Sequence, residues 1–337
     1  MIYQALYRKY RPKTFDEVVE QSATKVILQQ QLDTGDIKNA YLFCGGSGTG
    51  KTTTARIFAS ELNKGKGTPI ELDAASNNSV DDVREIVQQS KTLSLDSEYK
   101  VFIMDEVHAL SNNAWQAMLK VLEEPPKKSI FIMCTTDPQK IPKTIHSRVQ
   151  RYPFQCISTQ GIIDRLNYVI KCENENGSQI HAGKQDIEFI AKLANGHLRD
   201  ALTMLDKCLS YTNTLSIDEI TEALGISDYE CMMKLLSTYN SSDTMGMIEV
   251  VNSIYMSGKD LKQFLKDFTN FVLDCCKYDF GIDSKYLGCP VTDNILSLFK
   301  ECGNQTDLLS SLINLQNDIK WDTNPKPRVE AWCITKE

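Results

Sequence analysis

The sequence has 337 residues, of which 42% are hydrophobic and 24% are charged, which is ordinary for a globular protein of two or three domains. Its formal net charge of −7 excludes a protein that wraps DNA with its whole surface, so any nucleic-acid contact must come from local patches. No apolar run approaches the roughly 20 residues that span a bilayer. The N-terminal segment also lacks the apolar core of a signal peptide, so we expect a cytoplasmic protein with no membrane partner.

The first thirteen residues form a basic segment. Arg8, Lys9, Arg11 and Lys13 carry its charge, and no acidic residue lies among them. The charge alone leaves two interpretations open, a solvated arm or a contact with a ligand.

Five short apolar segments in the first half are predicted to be β-strands. Two of them, 101–104 (VFIM) and 130–134 (IFIMC), are apolar without alternation. This pattern is typical of strands that are covered on both faces of a parallel sheet. The predicted strands are 40–44, 69–75, 100–106, 129–136 and 149–154.

Between the strands, apolar residues recur at helical spacing in two stripes. The stripes consist of Val80, Val83, Ile86 and Val87, and of Trp115, Met118, Leu119 and Leu122. The second helix is predicted to be capped by Ser111 and to stop before Pro125 and Pro126. The alternation of strands and helices predicts a three-layer α/β domain with a parallel five-stranded sheet.

After about residue 157 the strand signals stop and helical patterns follow. Stripes at 158–175, 184–195, 198–210 and 216–224 predict a compact four-helix unit. Longer helical patterns continue from about residue 227. A clear example is formed by Leu261, Phe264, Leu265, Phe268, Phe271 and Val272. The predicted domains are an α/β domain (1–157), a small helical lid (158–225) and an all-α C-terminal domain (226–337).

The chain contains eleven cysteines, none of them spaced as C-x-x-C. Most lie within apolar runs, where a thiol behaves as a small hydrophobe. We therefore expect buried free thiols in a reducing compartment rather than a disulfide framework or a metal site.

The stretch Gly45-x4-Gly50-Lys51-Thr52 fits the pattern of a phosphate-binding loop. It follows a predicted strand and opens a predicted helix, which is the context that supports this interpretation. Backbone N–H groups are expected to hold the phosphates, Lys51 to reach the β- and γ-oxygens, and Thr52 to bind Mg²⁺. The nucleotide-binding residues predicted here are Gly46, Ser47, Gly48, Thr49, Gly50, Lys51, Thr52 and Thr53.

Two acidic residues, Asp105 and Glu106, end the apolar strand at 100–106. They are therefore expected at the carboxyl edge of the sheet, where α/β folds bind their ligands. Asp105 is predicted to hold Mg²⁺ through water, and Glu106 to polarise an attacking water. The second acid favours hydrolysis over transfer to a bound acceptor.

Taken together, seven segments resemble the bacterial DNA polymerase III gamma/tau subunit, the ATPase of the sliding-clamp loader and a member of the AAA+ class. The resemblance is dense over residues 1 to about 225 and weaker beyond, where 320–334 is similar to that family's last collar helix. It implies an AAA+ fold with a C-terminal collar domain and a cofactor requirement for ATP and Mg²⁺. The segments are YRKYRPKTFDEVVEQ (7–21), GGSGTGKTT (45–53), ELDAASNNSVDDVREI (71–86), FIMDEVHALS (102–111), MLKVLEEPP (118–126), CTTDPQKIPKTIHSR (134–148) and GHLRDALTMLDK (196–207).

The resemblance implies roles for individual residues. Thr136 matches a polar sensor near the γ-phosphate, and Arg199 matches a lid residue that touches the phosphates of its own subunit's ATP. Arg148 resembles the arginine finger, which reaches the ATP of a neighbouring subunit. The resemblance also places a group of residues around the adenine. They are Tyr10, Arg11, Pro12, Val18 and Val19.

The implied partners are other clamp-loader subunits in a pentameric ring or spiral, the sliding clamp and primer–template DNA. ATP binding is expected to set the subunits into a spiral that opens the clamp and grips DNA, and hydrolysis to release both. Candidate DNA contacts are the helix starts near Ser79 and Ser111 and the Lys/Gly loop in 61–76.

The chain departs from the family pattern at two places. The family usually carries a four-cysteine zinc module before the DAAS strand, whereas 61–76 (ELNKGKGTPIELDAAS) contains no cysteine, so no zinc site is expected. The family's Ser-Arg-Cys reads Ser147-Arg148-Val149 here, which keeps the arginine. The chain is also expected to be a short form without the extension of longer relatives.

Three other function classes stay open but are disfavoured. A nucleotide-binding scaffold subunit that does not hydrolyse ATP is disfavoured, because Lys51, Thr52, Asp105 and Glu106 are all intact. A branch-migration helicase or similar DNA motor is disfavoured by the all-helical C-terminal region, in which no winged-helix hairpin pattern is evident. A small-molecule kinase is disfavoured because nothing resembles an acceptor pocket.

Overall fold

A computed structural model of the chain describes residues 3–224, 228–282, 287, 293–300 and 305–336. The chain forms two compact units. The first comprises the residues up to Glu173 together with Gly196–Asp206, and the second comprises Asn174–Asn195 and the residues from Lys207 onward. The three predicted domains remain a prediction, and their boundary at 225/226 touches residues outside the described ranges.

Five parallel strands form the sheet of the first unit. They are β1 (Ala40–Gly45), β2 (Ile70–Asp73), β3 (Lys100–Asp105), β4 (Ser129–Thr135) and β5 (Gln150–Phe154). Their order across the sheet is β2-β3-β4-β1-β5. All five predicted strands are confirmed, each with ends within two residues of the prediction.

Helices make up most of the remaining described chain. They are α1 (Leu6–Lys9), α2 (Ser22–Thr34), α3 (Lys51–Leu62), α4 (Val80–Ser90), α5 (Asn112–Glu123), α6 (Lys143–His146), α7 (Thr159–Glu175), α8 (Lys184–Leu193), α9 (Leu198–Tyr211), α10 (Ile217–Leu224), α11 (Asp228–Asn240), α12 (Thr244–Met256), α13 (Leu261–Asp279), α14 (Asp293–Lys300), α15 (Gln305–Ile319) and α16 (Lys326–Thr335). Within the described ranges, no helix is both long and apolar enough to cross a bilayer.

The central strand β4 shows that the sheet is covered on both faces. It is buried along its whole length, with Phe131 and Met133 in the core on one face and Ile130 and Ile132 in the core on the other. The Phe131 ring stacks on Phe102 of β3, with ring centroids 5.1 Å apart. Each face of such a strand needs its own apolar partner layer, so its sequence is apolar without alternation.

Helices supply these two partner layers. α2 and α3 bury Leu28 and Phe58 against one face of the sheet, and α4 and α5 bury Val83 and Trp115 against the other. The predicted three-layer α/β domain is therefore confirmed.

The helix ends follow the predicted signals. Ser111 caps α5 by accepting a hydrogen bond from the Ala114 N–H, and the helix ends at Glu123, before the two prolines. Ser79 caps α4 in a reciprocal arrangement with Asp82. Each side chain satisfies N–H groups that have no partner inside the helix.

One prediction for the second half is wrong. Two short strands, β6 (His181–Ala182) and β7 (Thr214–Leu215), pair in parallel after residue 157. Segments of two residues are too short to show a period in the sequence, so no strand signal is visible there. The helical stripes themselves are confirmed as α7 to α10.

The core of the second unit is built from α11 to α16. The predicted stripe of α13 is buried throughout, and the Phe264, Phe268 and Phe271 rings stack in sequence along it. The buried Trp332 of α16 donates its indole N–H to Ser311 Oγ at 3.1 Å. This bond satisfies a polar atom inside an apolar core.

The described cysteines are free thiols, and most of them are buried, as predicted. Burial raises the pKa of Cys208 to about 11 and that of Cys333 to about 12. It also raises the pKa of Cys134, whose thiol stays protonated at neutral pH. These thiols therefore pack in the core as small apolar side chains.

Replacing Phe268 by alanine is expected to lower the free energy of unfolding by about 3–5 kcal/mol, because the ring is fully buried and its removal leaves a cavity. Phe280→Ala is the control, since Phe280 directly follows the same helix and is 82% exposed, and it should change stability by less than about 0.5 kcal/mol. Urea unfolding followed by circular dichroism measures both. Equal losses in the two variants would contradict this description of the core.

Candidate nucleotide-binding site

Most of the predicted site residues meet at the carboxyl edge of the sheet. The loop after β1, the end of β3 and the end of β4 come together there because the strands are parallel and in register, with Cys44 beside Thr135 and Met104 beside Met133. Open α/β sheets bind ligands at this edge. The topology thus brings together motifs that lie about 90 residues apart in the chain.

The glycines of the loop are required by close packing. A Cβ atom on Gly45 would lie 2.2 Å from the Phe154 carbonyl oxygen, and one on Gly46 would lie 3.0 Å from the His197 ring. Gly48 has a φ of +66°, and its Cβ would lie 3.1 Å from Arg199 Cβ. The result is a bare backbone turn that leads into the N-terminus of α3, an arrangement that fits phosphate groups.

Lys51 lies inside this turn with only 5% of its surface exposed. Its Nζ donates to the carbonyl oxygens of Gly45 at 2.9 Å and Gly46 at 2.7 Å. An ammonium group has three N–H donors, and among the described residues only these two acceptors are bonded to it. The third donor and the buried positive charge fit an anionic oxygen of a ligand.

Thr52 and Asp105 are joined directly. The Thr52 hydroxyl donates to Asp105 Oδ2 at 2.7 Å. A hydroxyl beside a carboxylate supplies the hard oxygen ligands that Mg²⁺ prefers. These two residues therefore fit a magnesium ion that arrives with a nucleotide.

Glu106 has a backbone conformation that is unusual for its residue type, with φ at +49°. Its Oε2 accepts a hydrogen bond from Thr136 Oγ1 at 3.0 Å and lies 3.2 Å from His108 Nδ1. Left-handed backbone at a non-glycine residue costs on the order of 1–3 kcal/mol and recurs at functional sites. These contacts hold the Glu106 carboxylate beside Thr136, directly after the end of β4.

The N-terminal segment forms another wall of the same cleft. Lys9 is exposed and forms an ion pair with Glu173 at 2.7 Å. Arg11 lines the cleft, so the structure favours a ligand contact over a solvated arm for part of this segment. The predicted residues that line the cleft are Tyr10, Arg11, Pro12, Val18, Val19, Ser47, Gly48, Thr49, Gly50, Lys51, Thr52, Thr53, Asp105, Glu106 and Arg199.

Arg199, at the start of α9, lies over the Tyr7 ring with 4.8 Å between Cζ and the ring centroid. The pKa of the Tyr7 phenol is lowered by the hydrogen bond from Arg8 and, to a smaller extent, by Arg199. Arg199 also lines the cleft, and its backbone and Cβ pack beside Gly48 of the turn.

Three predicted residues do not line the cleft. Gly46 belongs to the backbone of the turn, and Thr136 touches the site through Glu106. Arg148 lies elsewhere on the surface of the first unit. It donates to Glu123 Oε1 and to the Thr144 carbonyl, both at 2.7 Å.

Three further residues shape the site and were not predicted from the sequence. His108 faces Glu106, and Arg165 lines the cleft from α7. His197 Nδ1 lies 2.6 Å from the Ser47 carbonyl oxygen, and because a carbonyl only accepts, Nδ1 carries the proton. His108 and His197 stand within quoted motifs, but only the fold shows what each contacts.

A family profile described as "DNA polymerase III, delta subunit" matches residues 69–158. Over the whole chain, the DNA polymerase III subunit tau of Bacillus subtilis (strain 168) is 34% identical, with 97% of this chain and 62% of that protein covered. The DNA polymerase III subunit gamma of Buchnera aphidicola subsp. Schizaphis graminum is 32% identical, with 81% of this chain and 80% of that protein covered. This chain therefore spans less than two thirds of the Bacillus relative and most of the Buchnera one.

Solved structures are similar at lower identity. The Thermotoga maritima RuvB Holliday junction branch migration motor is 20% identical, with a TM-score of 0.53 over 74% of this chain and 86% of that one. At this identity the likeness bears on the fold alone, and it confirms the predicted AAA+ fold class.

Replacing His197 by alanine is expected to weaken nucleotide binding about fivefold, because one hydrogen bond that fixes the loop at Ser47 is lost. His197→Asn should stay within about twofold of the wild type, since its amide N–H can take the place of Nδ1. Titration with a fluorescent ATP analogue measures both. Identical affinities for the alanine variant and the wild type would rule out a role for this contact.

Proposed function

We propose that this chain, which belongs to the family of DNA polymerase III gamma and tau subunits, is an ATPase subunit of a clamp loader. In this proposal it binds ATP with Mg²⁺, opens a sliding clamp together with other subunits and loads it onto primed DNA during replication. It works in the cytoplasm. Relatives that carry the names DNA polymerase III subunit tau and gamma support this assignment.

One observation carries the proposal. A single cleft gathers a buried lysine, a hydroxyl–carboxylate pair, a second carboxylate and an arginine from four different parts of the fold. They are Lys51 and Thr52 of α3, Asp105 of β3, Glu106 after it and Arg199 of α9. This set matches what phosphoryl transfer to water requires, namely positioning and charge stabilisation.

Each group has a distinct task in the proposed reaction. Mg²⁺ held by Thr52 and Asp105 neutralises charge on the phosphates when it is bound. Lys51 holds phosphate oxygens, and Glu106 orients the attacking water and accepts its proton. The Thr136 hydroxyl, 3.0 Å from Glu106 Oε2, positions that carboxylate beside the γ-phosphate.

Arg148 is proposed to act on a neighbouring subunit. It does not line the cleft of its own chain, and about a third of its side chain is exposed beside Glu123. An exposed ion pair of this kind contributes little to stability, about 0–1 kcal/mol. The guanidinium can therefore leave Glu123 for the phosphates of an adjacent subunit at little cost, which makes hydrolysis conditional on assembly.

Replacing Glu106 by glutamine is expected to leave ATP binding intact and to lower turnover in the assembled complex by about 10²–10⁴-fold, because the base that accepts the proton is lost. The measurement is ATP-dependent loading of a ring clamp onto primed circular DNA, with ATP turnover recorded alongside. A wild-type assembly that retains ATP without converting it would support the non-hydrolysing scaffold. Strand displacement or junction movement without clamp loading would support the DNA motor.

Arg148→Ala should lower ATP turnover about 10³–10⁵-fold in the assembly and leave the low activity of the dilute, isolated chain unchanged. Lys38→Ala is the matched control, since it removes another surface cation with a carboxylate partner, Asp36 at 2.7 Å, and it should change neither rate. An equal loss by Arg148→Ala in the isolated chain would contradict action on a neighbour.

A further inference from the structure

Arg165 is a cation of the nucleotide cleft to which neither the sequence nor the proposed reaction assigns a role. It projects from α7 and lines the cleft with Tyr10, Val19 and Leu202. At this part of the cleft the N-terminal segment and α7 meet, since Arg165 bonds the Tyr10 carbonyl. Other side chains that line the cleft include Pro12 and Val18, which suit a flat apolar ring rather than a phosphate.

The contacts of Arg165 fix its guanidinium in place. One nitrogen, Nη2, donates to the Tyr10 carbonyl oxygen at 2.6 Å. The group lies over the Tyr168 ring, with 4.9 Å between Cζ and the ring centroid. A planar guanidinium held by a hydrogen bond and a ring presents its remaining N–H groups in set directions.

One of these remaining groups has no partner. The Nε atom is buried and has no hydrogen-bond acceptor among the described residues. Burial also lowers the pKa of this guanidinium, which reflects the cost of keeping its charge away from water. Arginine does not lose its proton in proteins, and buried donors in native structures are nearly always satisfied. Because Nε is itself buried, a ligand acceptor that pairs with it must draw the side chain toward the ligand.

We propose that Arg165 is a specificity-determining residue of the site, and that its Nε–H donates a hydrogen bond to a ring nitrogen of the adenine. This inference rests on the proposed function, in which the cleft holds ATP. The purine ring nitrogens N1, N3 and N7 are all acceptors in adenine, whereas guanine carries a proton at N1, so a contact at N1 leaves the donor unpaired when guanine is bound. Sites that lose a hydrogen bond in this way reject the wrong ligand strongly.

The same side chain connects base binding to the N-terminal segment. Through Nη2 it holds Tyr10, which forms a wall of the cleft, and through Nε it contacts the base. A base that presents no acceptor to Nε therefore loses that hydrogen bond. It also weakens the hydrogen bond by which Nη2 holds Tyr10 and the N-terminal segment.

The test compares ATP with 1-deaza-, 3-deaza- and 7-deaza-ATP, each of which lacks one ring acceptor, by titration of the wild-type chain. One of the three should bind about 10- to 100-fold more weakly than ATP, as expected for a hydrogen bond from a charged donor. Arg165→Met should lose a similar factor for ATP and should no longer distinguish ATP from that analogue. Lys171→Met, which removes an exposed cation from the same helix, should behave as the wild type.

Equal affinity of the wild type for all four nucleotides overturns this inference and leaves the proposed function standing. Failure to bind any of them overturns the proposed function and the inference with it. If Arg165→Met does not fold, the wild-type series alone decides the question. A discrimination that persists unchanged in Arg165→Met also overturns the assignment, because another group must then read the base.

Discussion

The rest of the site depends on the close packing of the phosphate-binding turn against the start of α9. Gly46 and Gly48 have no side chains, so His197 and Arg199 can pack directly against the turn, in space that a Cβ on either glycine would fill. The His197 ring also forms a hydrogen bond with the Ser47 carbonyl. This contact joins residues 150 positions apart. The turn and the start of α9 are therefore held together by direct contacts.

The Glu106 carboxylate is held in place by neighbouring side chains rather than by the backbone preference of the residue. Glu106 adopts a left-handed conformation that is stable only because surrounding contacts determine it. Thr136 supplies one of these contacts and His108 lies beside the same oxygen. Thr136 directly follows β4, so its contact depends on how β3 and β4 pair, whereas His108 lies two residues after Glu106 in the same segment.

In the proposed function, the cleft combines three kinds of recognition. The turn and Lys51 hold phosphates, Thr52 and Asp105 hold a metal ion, and the N-terminal segment with α7 holds the base. Arg148 does not line the cleft and forms an ion pair with Glu123. The proposed site therefore binds a nucleotide within one chain and is completed by an adjoining subunit.

Features that depend on residues close together along the chain could be predicted from the sequence alone. The apolar runs around Phe102 and Phe131 predicted buried parallel strands, the spacing from Gly45 to Thr52 predicted the phosphate-binding turn, and Ser111 predicted a helix start. The strand pair at His181 and Thr214 was missed because two residues show no period. The contacts of His197 and Arg165 were decided only by the tertiary structure, since their partners at Ser47 and Tyr10 lie about 150 residues away. No local sequence pattern predicts which distant backbone atom a side chain contacts, because that contact is determined by tertiary packing.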